Sequence, residues 1–175
     1  MSPAARLALV AAAALALGGC DQLTKHHAAS ELSAESTAAD GRTQRVPARV
    51  TEVVPGYWEL HYRENPGAAF SVMRDVAPGV RIPFFVGVTL LGLALLGALV
   101  YRHAGPWTAA SAALIAGGAL GNLVDRVRYG HVVDFIHWHV RDVLDYPTFN
   151  VADVWIFLGG LLLLVATFRP APAAT

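Results

Sequence analysis

Four apolar runs divide the chain, and polar segments of unequal length separate them. The runs cover residues 4–23, 82–101, 107–124 and 151–168. Each is close to the roughly 20 apolar residues that an α-helix needs to cross the hydrocarbon core of a bilayer. The third run is rich in Ala, Gly and Ser, which allow close helix–helix approach in lipid. The pattern therefore predicts a membrane protein, mainly α-helical, in which residues 1–175 form one domain built as a four-transmembrane-helix bundle.

Two polar segments connect these runs on one side of the bundle. Residues 26–81 form the longer segment, and within it residues 50–62 mix β-branched and aromatic residues around a Pro-Gly pair, which predicts two short strands. We expect residues 31–49, which are rich in Ala, Ser, Thr, Glu and Arg, to be loose. Residues 125–150 form the second connection, and we expect the tail at 169–175 to be disordered.

The composition supports a membrane location and excludes several other classes of protein. Hydrophobic residues make up 55% of the chain and charged residues only 15%, which is too apolar for an ordinary soluble domain. Thirteen basic residues balance thirteen acidic ones, so no net field attracts nucleic acid, and we expect no nucleic-acid partner. A single cysteine excludes an internal disulfide and a cage of thiolate metal ligands.

Four spans place both termini on the same side of the membrane. Arg6, Arg102 and Arg169 flank the short ends on that side, as the positive-inside rule prefers, so we expect both termini to be cytoplasmic. The other ten of the thirteen basic residues lie on the opposite side, where a long first loop can cross largely regardless of its charge. The two polar connections are then expected to lie outside the cytoplasm.

The first apolar run has two interpretations. Residues 7–20 follow a single basic residue and end in LGGC, which is similar to the cleavage motif of bacterial lipoproteins, with Cys20 as the lipidated residue. Alternatively, the run is a transmembrane helix that continues through residues 21–25 and carries Cys20 as a packing residue. The three later spans favour the transmembrane helix. The alternative function is a non-enzymatic membrane protein, either a lipoprotein anchored at Cys20 or a small transporter-like bundle.

Polar residues cluster at the same end of three of the spans. They recur at intervals of three or four residues, so each cluster occupies one face of its helix. The clusters are Asp21 and Lys25 after the first span, Asn122, Asp125 and Arg126 at the end of the third, and Asn150 and Asp153 at the start of the fourth. Because neighbouring spans alternate in direction, these three helix ends meet at one surface, with Asp134 in the loop between two of them.

Asp134 and Asp153 are the candidate catalytic pair. A carboxylate at bilayer depth costs about 2.5–3.5 kcal/mol even on the lenient insertion scale, so acids beside membrane spans indicate a function. Asp134 is a lone acid inside the apolar pentapeptide VVDFI, and Asp153 lies within the first turns of an apolar span. Structural alternatives stay open for both: an exposed strand face for Asp134, and a helix-start acid favoured by the helix dipole for Asp153.

The other charged residues of these clusters also have structural alternatives. Asp125 and Arg126 are equally a helix end with adjacent charges, and we assign them supporting roles. Asp21 and Lys25 are, at this spacing, more often a solvated pair or a structural clamp than a functional one. Asn150 is well suited to be the N-cap of the fourth helix.

The histidines and serines point less clearly to chemistry. His137 and His139 alternate in IHWH, with His131 nearby, but the chain has no HExxH motif and no third ligand at convincing spacing. We therefore predict no metal at the site. Neither Ser71 nor Ser111 lies in a GxSxG-type elbow or has an evident base partner, which argues against a serine nucleophile.

Five short motifs occur in order at the ends of the spans. They are DQLTK (21–25), NPGAAFS (65–71), GGALGNLVDR (117–126), VVDF (132–135) and FNVAD (149–153). In this order they resemble the motifs of the lipoprotein signal peptidase (signal peptidase II) family of bacterial membrane aspartyl proteases, over nearly the whole chain. The resemblance implies four spans, a small periplasmic β-cradle and a catalytic dyad at Asp134 and Asp153. It also implies supporting or substrate-binding roles for Asp21, Lys25, Asn65, Gly67, Asn122, Asp125, Arg126, Asn150 and Ala152.

The resemblance further implies a reaction and its setting. The family removes the signal peptide from diacylglyceryl-modified prolipoproteins, cleaving just before the lipidated cysteine with water that the two aspartates activate. We therefore expect an aspartic-type peptide hydrolase, multi-pass in the bacterial cytoplasmic (inner) membrane, with its active site on the periplasmic side. We expect no cofactor, a monomer, and membrane lipid and prolipoproteins as partners. The segment between the first two motifs is longer than usual for the family, which leaves the shape of the cradle open.

Overall fold

The computed structural model describes residues 1–67, 73, 75–102, 105–140 and 143–168, and this part of the chain is mainly helical. The helices are α1 (Pro3–Leu32), α2 (Pro78–Arg102), α3 (Pro106–Tyr129) and α4 (Val151–Thr167). The strands are β1 (Ser33–Thr37), β2 (Thr43–Pro47), β3 (Val50–Val54), β4 (Trp58–Asn65), β5 (Val132–Val140) and β6 (Leu144–Asp145). The predicted disordered tail lies outside the described residues.

Three of these helices, α1, α2 and α3, are long and apolar enough to cross a membrane, whereas α4 is apolar but has 17 residues. Helices α1 and α3 continue beyond the apolar runs predicted to end at residues 23 and 124. Hydropathy falls at those positions, but no glycine or proline lies between them and the ends of the two helices. Helix α3 ends at Gly130, whose φ of 76° is left-handed and whose N–H donates to the carbonyl oxygen of Arg126.

Helix α3 lies at the centre of the bundle and packs against the other three helices. Its glycines make this close approach possible. A Cβ at Gly117 would lie 2.6 Å from the Cβ of Leu17 in α1, and a Cβ at Gly118 would collide with the Ala152 carbonyl oxygen in α4. Ser111 adds a hydrogen bond from its hydroxyl to the Gly159 carbonyl oxygen, at 2.7 Å. The predicted role of small residues in the third span is therefore confirmed.

The two connections between helices meet in one antiparallel sheet of order β3-β4-β5-β6. Strands β3 and β4 are the pair predicted within residues 50–62, and Gly56 takes a φ of 76° in the turn between them. Strand β5 belongs to the second connection, so residues far apart in sequence become neighbours when it pairs with β4. This pairing places the loop acid Asp134 on a fixed backbone.

Residues 31–49 are not loose, contrary to the prediction. The first two of them end α1, and β1 and β2 then pair in a separate hairpin from Ser33–Pro47 to Thr37–Thr43. The Asp40 side chain accepts the Arg42 N–H at 3.0 Å, and Gly41 takes a φ of 82°. Asp-Gly is a strong hairpin signal, and a prediction based on the overall composition of this segment overlooked it.

An apolar cluster joins the sheet to the end of α1. It consists of Ala28, Leu32, Tyr62, Val133 and Phe135, all buried. Because Val133 and Phe135 flank Asp134 in the chain, their packing holds that part of β5 against the bundle. Elsewhere the outer faces of the helices carry exposed apolar side chains such as Leu91 and Leu95, as expected for surfaces that contact lipid.

Candidate active site

Asp134 is buried, with 2% of its surface exposed, so the exposed-strand interpretation is wrong. Both of its carboxylate oxygens accept amide hydrogen bonds. The Asn65 Nδ2 donates to Oδ2 at 2.9 Å, and the Asn150 Nδ2 donates to Oδ1 at 2.6 Å. Burial, and then the nearby negative charge of Asp153, raise the pKa of the Asp134 carboxyl to about 7, although the two amides oppose the shift.

Asp153 lies in the first turn of α4, where it forms a reciprocal capping box with Asn150. The Asp153 N–H donates to the Asn150 Oδ1 at 3.0 Å, and the Asn150 N–H donates to the Asp153 Oδ2 at 3.2 Å. The predicted N-cap role of Asn150 is therefore confirmed. The other carboxylate oxygen of Asp153 accepts the Asn122 Nδ2 at 2.9 Å. Helix capping thus accounts for the Oδ2 of Asp153, whereas its Oδ1 faces the Asn122 amide.

Two asparagine amides connect the acids. Asn150 donates through Nδ2 to Asp134 and also lies 3.2 Å from the Oδ1 of Asn122, which in turn donates to Asp153. Both acids line one cavity of about 340 Å³. Its other lining residues are Asn65, Asn122, Arg126, Val132, Tyr146, Pro147, Thr148, Phe149, Ile156 and Phe157. The structure therefore brings the two candidate catalytic acids to the same space at the end of the bundle.

A second polar cluster, which we call the Lys25 cluster, lies beside this cavity. The Lys25 Nζ is 2.8 Å from the Asp21 Oδ2 and 2.9 Å from the Asp125 Oδ2, and it donates to the Asn122 Oδ1 at 2.8 Å. Lys25, Asp21 and Asp125 are all buried, so the pair at 21 and 25 is a structural clamp and not a solvated pair.

Backbone and amide groups complete the Lys25 cluster. The Ala152 N–H donates to the Asp21 Oδ1 at 2.8 Å, and the Val133 N–H donates to the Asp125 Oδ2 at 3.0 Å. Gln22 donates through Nε2 to the Asp125 Oδ1 at 2.7 Å, a role that sequence reasoning missed. The cluster therefore fastens α1 and α3 to the starts of α4 and β5, which carry the two candidate acids.

Arg126 holds the loop that follows β4. Its Nη2 donates to the Gly67 carbonyl oxygen at 3.1 Å, and its guanidinium lies 4.6 Å from the ring centroid of Phe85. The Gly67 N–H donates to the Asn65 Oδ1 at 3.1 Å. Since that oxygen is engaged, the NH₂ group of Asn65 faces Asp134. Arg126 and Gly67 thus help to orient the Asn65 amide that donates to Asp134.

Cys20 is exposed on α1, so the prediction that it packs at the end of the first span is wrong. The residues of this turn that face α3 are Gly18 and Asp21. Tyr146 and Thr148 line the cavity of the two acids and were also missed, although the polar YPT preceding FNVAD marked the approach to the site.

Fold and site together define a helix-bundle protein of the membrane that holds two acids in one cavity at the end of its helices. A family model described as Signal peptidase (SPase) II matches residues 13–169, a range that includes every candidate site residue. The chain therefore belongs to the signal peptidase II family.

Curated relatives named lipoprotein signal peptidase resemble part of the chain. The Cupriavidus necator protein is 45% identical over 117 residues, which cover 66% of this chain and 66% of that protein. The Cupriavidus pinatubonensis protein is 48% identical over 117 residues, covering 66% and 65%. The Moorella thermoacetica protein is 38% identical over 133 residues, covering 74% and 81%. The chain thus spans just under two thirds of the length of the two Cupriavidus relatives.

Two solved structures of bacterial membrane enzymes, both obtained by the in meso method, share the fold. Their TM-scores are 0.70 and 0.73, and each is 24% identical in sequence to this chain. The matches cover 95% and 94% of this chain and 95% of each solved chain. At this identity the likeness shows the fold, and the predicted mainly α-helical membrane architecture is confirmed.

Proposed function

We propose that this protein is an aspartic peptidase that removes the signal peptide from diacylglyceryl-modified prolipoproteins, cleaving just before the lipidated cysteine. Asp134 and Asp153 are the catalytic dyad. The observation that carries the proposal is that both acids line one cavity and are joined through the amides of Asn122 and Asn150. Membership of the signal peptidase II family supports the substrate class.

The dyad holds a single proton near neutral pH. We propose that the two carboxyls approach to about 4 Å, where two unit charges repel by about 4 kcal/mol at an effective dielectric constant of about 20. At 1.36 kcal/mol per pKa unit, this repulsion separates the two ionisations by about three units. We propose that Asp134 carries this proton in the resting enzyme, since burial and the charge of Asp153 raise its pKa to about 7.

Cleavage then proceeds by general acid–base catalysis. The ionised Asp153 takes a proton from a water molecule while its oxygen attacks the scissile carbonyl carbon, and Asp134 gives its proton to the carbonyl oxygen. The tetrahedral intermediate collapses when Asp153 returns its proton to the leaving nitrogen and Asp134 recovers one from the intermediate's hydroxyl group. Both carboxyls end in their starting states, so one water molecule is consumed for each peptide bond broken.

The cavity suits a substrate that remains in the bilayer. Phe149, Ile156 and Phe157 line one part of it, and the amides and acids line another. Phe157 is largely exposed on the outer face of α4. Acyl chains and an apolar signal helix therefore stay in lipid beside α4, while only the scissile bond reaches Asp134 and Asp153.

We also propose that all four helices cross the membrane and that the protein acts as a monomer. Helix α4 has 17 residues, and about 17–25 residues suffice for a span. Four crossings put both termini in the cytoplasm of a bacterium and place the sheet and the dyad at the periplasmic face of the inner membrane.

The test is cleavage of a diacylglyceryl-modified prolipoprotein peptide by purified wild-type protein and by Asp134→Asn and Asp153→Asn. We expect both variants to accumulate in the membrane and to leave the peptide intact. Asp40→Asn, which changes an exposed acid in the β1–β2 turn, is the matched control and should cleave normally. Cleavage at the wild-type rate by either dyad variant would remove that residue from the mechanism.

The lipoprotein alternative has little support in the structure. Helix α1 continues without a break through Cys20 to Leu32, and Asp21, the next residue, is fully buried against Ala152. Cleavage before Cys20 would detach the helix segment that packs on α3. An intact mass that begins at Cys20 would nevertheless restore this alternative and overturn the peptidase proposal.

A further inference from the structure

We propose that the β3–β6 sheet carries a binding site for one divalent transition-metal ion of the zinc type, held by Glu59, His137 and His139. Together with His61 and Asp145 these residues form what we call the histidine cluster. Alternate residues of a strand point to opposite faces, so His137 and His139 of β5 lie on the face opposite Asp134. The three proposed ligands also do not line the cavity of Asp134 and Asp153, so the metal plays no part in the cleavage step.

Strand pairing assembles this cluster. Glu59 in β4 lies directly opposite His137 in β5, and His139 lies opposite Asp145 in β6. Glu59 and His137 are 78 residues apart in the chain, which is why spacing alone revealed no third ligand beside the two histidines. The pairing of β4 with β5 supplies it.

The ligand atoms are close to coordinating distance. One potential ligand atom from each of the three residues lies within 4.8 Å of the other two. The His137 Nδ1 is 2.9 Å from the Glu59 Oε1, and the His139 Nε2 is 4.0 Å from the Glu59 Oε2. Zinc–nitrogen bonds of about 2.0–2.1 Å place tetrahedral ligands about 3.3 Å apart, between these two values. Small side-chain rotations are enough to close the site around an ion.

The environment of His137 also calls for a cation. Its Nδ1 faces the carboxylate of Glu59, and its Nε2 lies 2.5 Å from the Oδ1 of Asp145. A neutral imidazole has a single N–H, so one of its nitrogens would face a carboxylate lone pair with a lone pair of its own. A second ring proton removes this conflict, and so does a metal ion at Nδ1. The Nε2–H then donates to Asp145, as metal-bound histidines commonly do to a carboxylate.

The surrounding groups fit a borderline metal ion. His61 places its Nδ1 3.1 Å from the Glu59 Oε1 and its Nε2 3.0 Å from the Thr148 hydroxyl, which fixes Glu59 from a second side. Two imidazoles with one carboxylate suit Zn²⁺, Cu²⁺ or Ni²⁺, whereas Mg²⁺ and Ca²⁺ prefer oxygen ligands. The three ligands are partly exposed, so an ion can enter from solvent. Bound there, it cross-links β4 to β5.

Titration calorimetry with zinc chloride tests the proposal on full-length protein in detergent, purified without a histidine tag and stripped of metal. Wild-type protein should bind one Zn²⁺ per chain, and His137→Gln/His139→Gln should lose this binding. His26→Gln/His27→Gln is the matched control, because it removes two exposed histidines of α1 and should bind as the wild type does. Asp145→Asn should weaken binding by about 10–100-fold, as loss of a supporting carboxylate does.

A milder variant separates loss of the site from loss of the fold. His139→Gln keeps both hydrogen bonds of His137, and its elution and circular dichroism should match the wild type. Visible absorption of bound Co²⁺ should appear in the wild type and be absent in His139→Gln. No saturable Zn²⁺ binding by wild-type protein, or equal binding by His137→Gln/His139→Gln, would overturn the proposal and leave the cluster as an ion pair. Either result leaves the peptidase proposal untouched, because EDTA should not alter cleavage.

Discussion

The Lys25 cluster and the pair formed by Asp134 and Asp153 are adjacent, yet their acids are held in opposite ways. Asp21 and Asp125 each lie within 2.9 Å of the Lys25 ammonium group. Among the described residues, the hydrogen bonds to Asp134 and Asp153 come instead from neutral amide groups. The ammonium group offsets the charge of the two acids beside it, whereas a neutral amide supplies a hydrogen bond without a compensating charge. The comparison therefore separates acids that are paired with a buried cation from the two acids that we propose as the catalytic pair.

Asn122 is the boundary between the two groups. Its Oδ1 accepts from Lys25 and Asn150, so its NH₂ group must face Asp153. Lys25 is the single lysine in the sequence. By binding the Asn122 Oδ1 it turns the Asn122 NH₂ group toward Asp153. The structural cluster thus orients an amide that donates to Asp153, one of the two proposed catalytic acids.

The largest expected effect is on cleavage when an acid of the pair is neutralised. Asp134→Asn and Asp153→Asn should each lower the cleavage rate by about 10²–10⁴-fold, since each removes a group proposed to transfer a proton. Asp134→Asn should reduce stability little, because the side chains that donate hydrogen bonds to Asp134 among the described residues are the neutral amides of Asn65 and Asn150. Thermal unfolding in detergent, measured beside the peptide assay, checks both statements. A loss of cleavage that merely follows loss of folded protein would place Asp134 in the structural group.

Breaking the Lys25 cluster should have the opposite signature. Lys25→Met leaves two buried carboxylates without their cation, and removing one partner of a buried ion pair costs about 3–5 kcal/mol. We expect a lower unfolding midpoint and poor accumulation in the membrane. Arg42→Met, which removes an exposed partner of Asp40, is the control and should change the midpoint little. A stable, fully folded Lys25→Met protein would contradict the assignment.

The pH dependence of stability and of cleavage should both report on Asp134. The pKa of Asp134 rises from 3.8 to about 7 on folding, so the folded protein binds this proton more tightly than the unfolded chain. The free energy of unfolding should therefore fall as pH rises from about 4 to about 7 and then level off. Asp134→Asn should remove this slope. In the wild type, kcat/KM should fall about tenfold per pH unit above the pKa of Asp134.

The smallest expected effect comes from Asn65→Ala. The Asn65 amide stabilises the ionised form of Asp134, so its removal should raise the pKa of that carboxyl further. The alkaline limb of the cleavage profile should move upward by less than about one pH unit. Full pH–rate profiles of Asn65→Ala and wild type measure this shift. A downward movement would show that Asn65 does not act on Asp134 as described.

Local signals in the sequence predicted much of the fold. The apolar runs predicted the helices, and three- and four-residue spacings placed Asp21 with Lys25 and Asn122 with Asp125 on shared faces. Alternation of helix direction predicted that Asp134 and Asp153 would meet, and the structure places them in one cavity. Their catalytic roles stay predictions, because position alone does not establish proton transfer.

Features that depend on strand pairing escaped the sequence. Val133 and Phe135 pack inward on one side of β5 while Asp134 faces the other, and an apolar pentapeptide does not reveal which side is buried. Glu59 and Asp145 approach His137 only when three strands align, so no spacing rule detects them. Gln22 was overlooked because a single glutamine near a helix end forms no recognisable motif. Its role becomes visible only when α3 packs beside it and brings Asp125 within hydrogen-bonding distance.

Infrared titration of the Asp134 carboxyl tests the central claim most directly. The C=O stretch of a protonated buried acid should be present below neutral pH, disappear with a midpoint of about 7, and be missing in Asp134→Asn. In Asp153→Asn the midpoint should move down, because the neighbouring charge that raises this pKa is gone. An unchanged midpoint in Asp153→Asn, or a wild-type protein without this band at any pH near neutrality, would contradict a proton shared by the two acids.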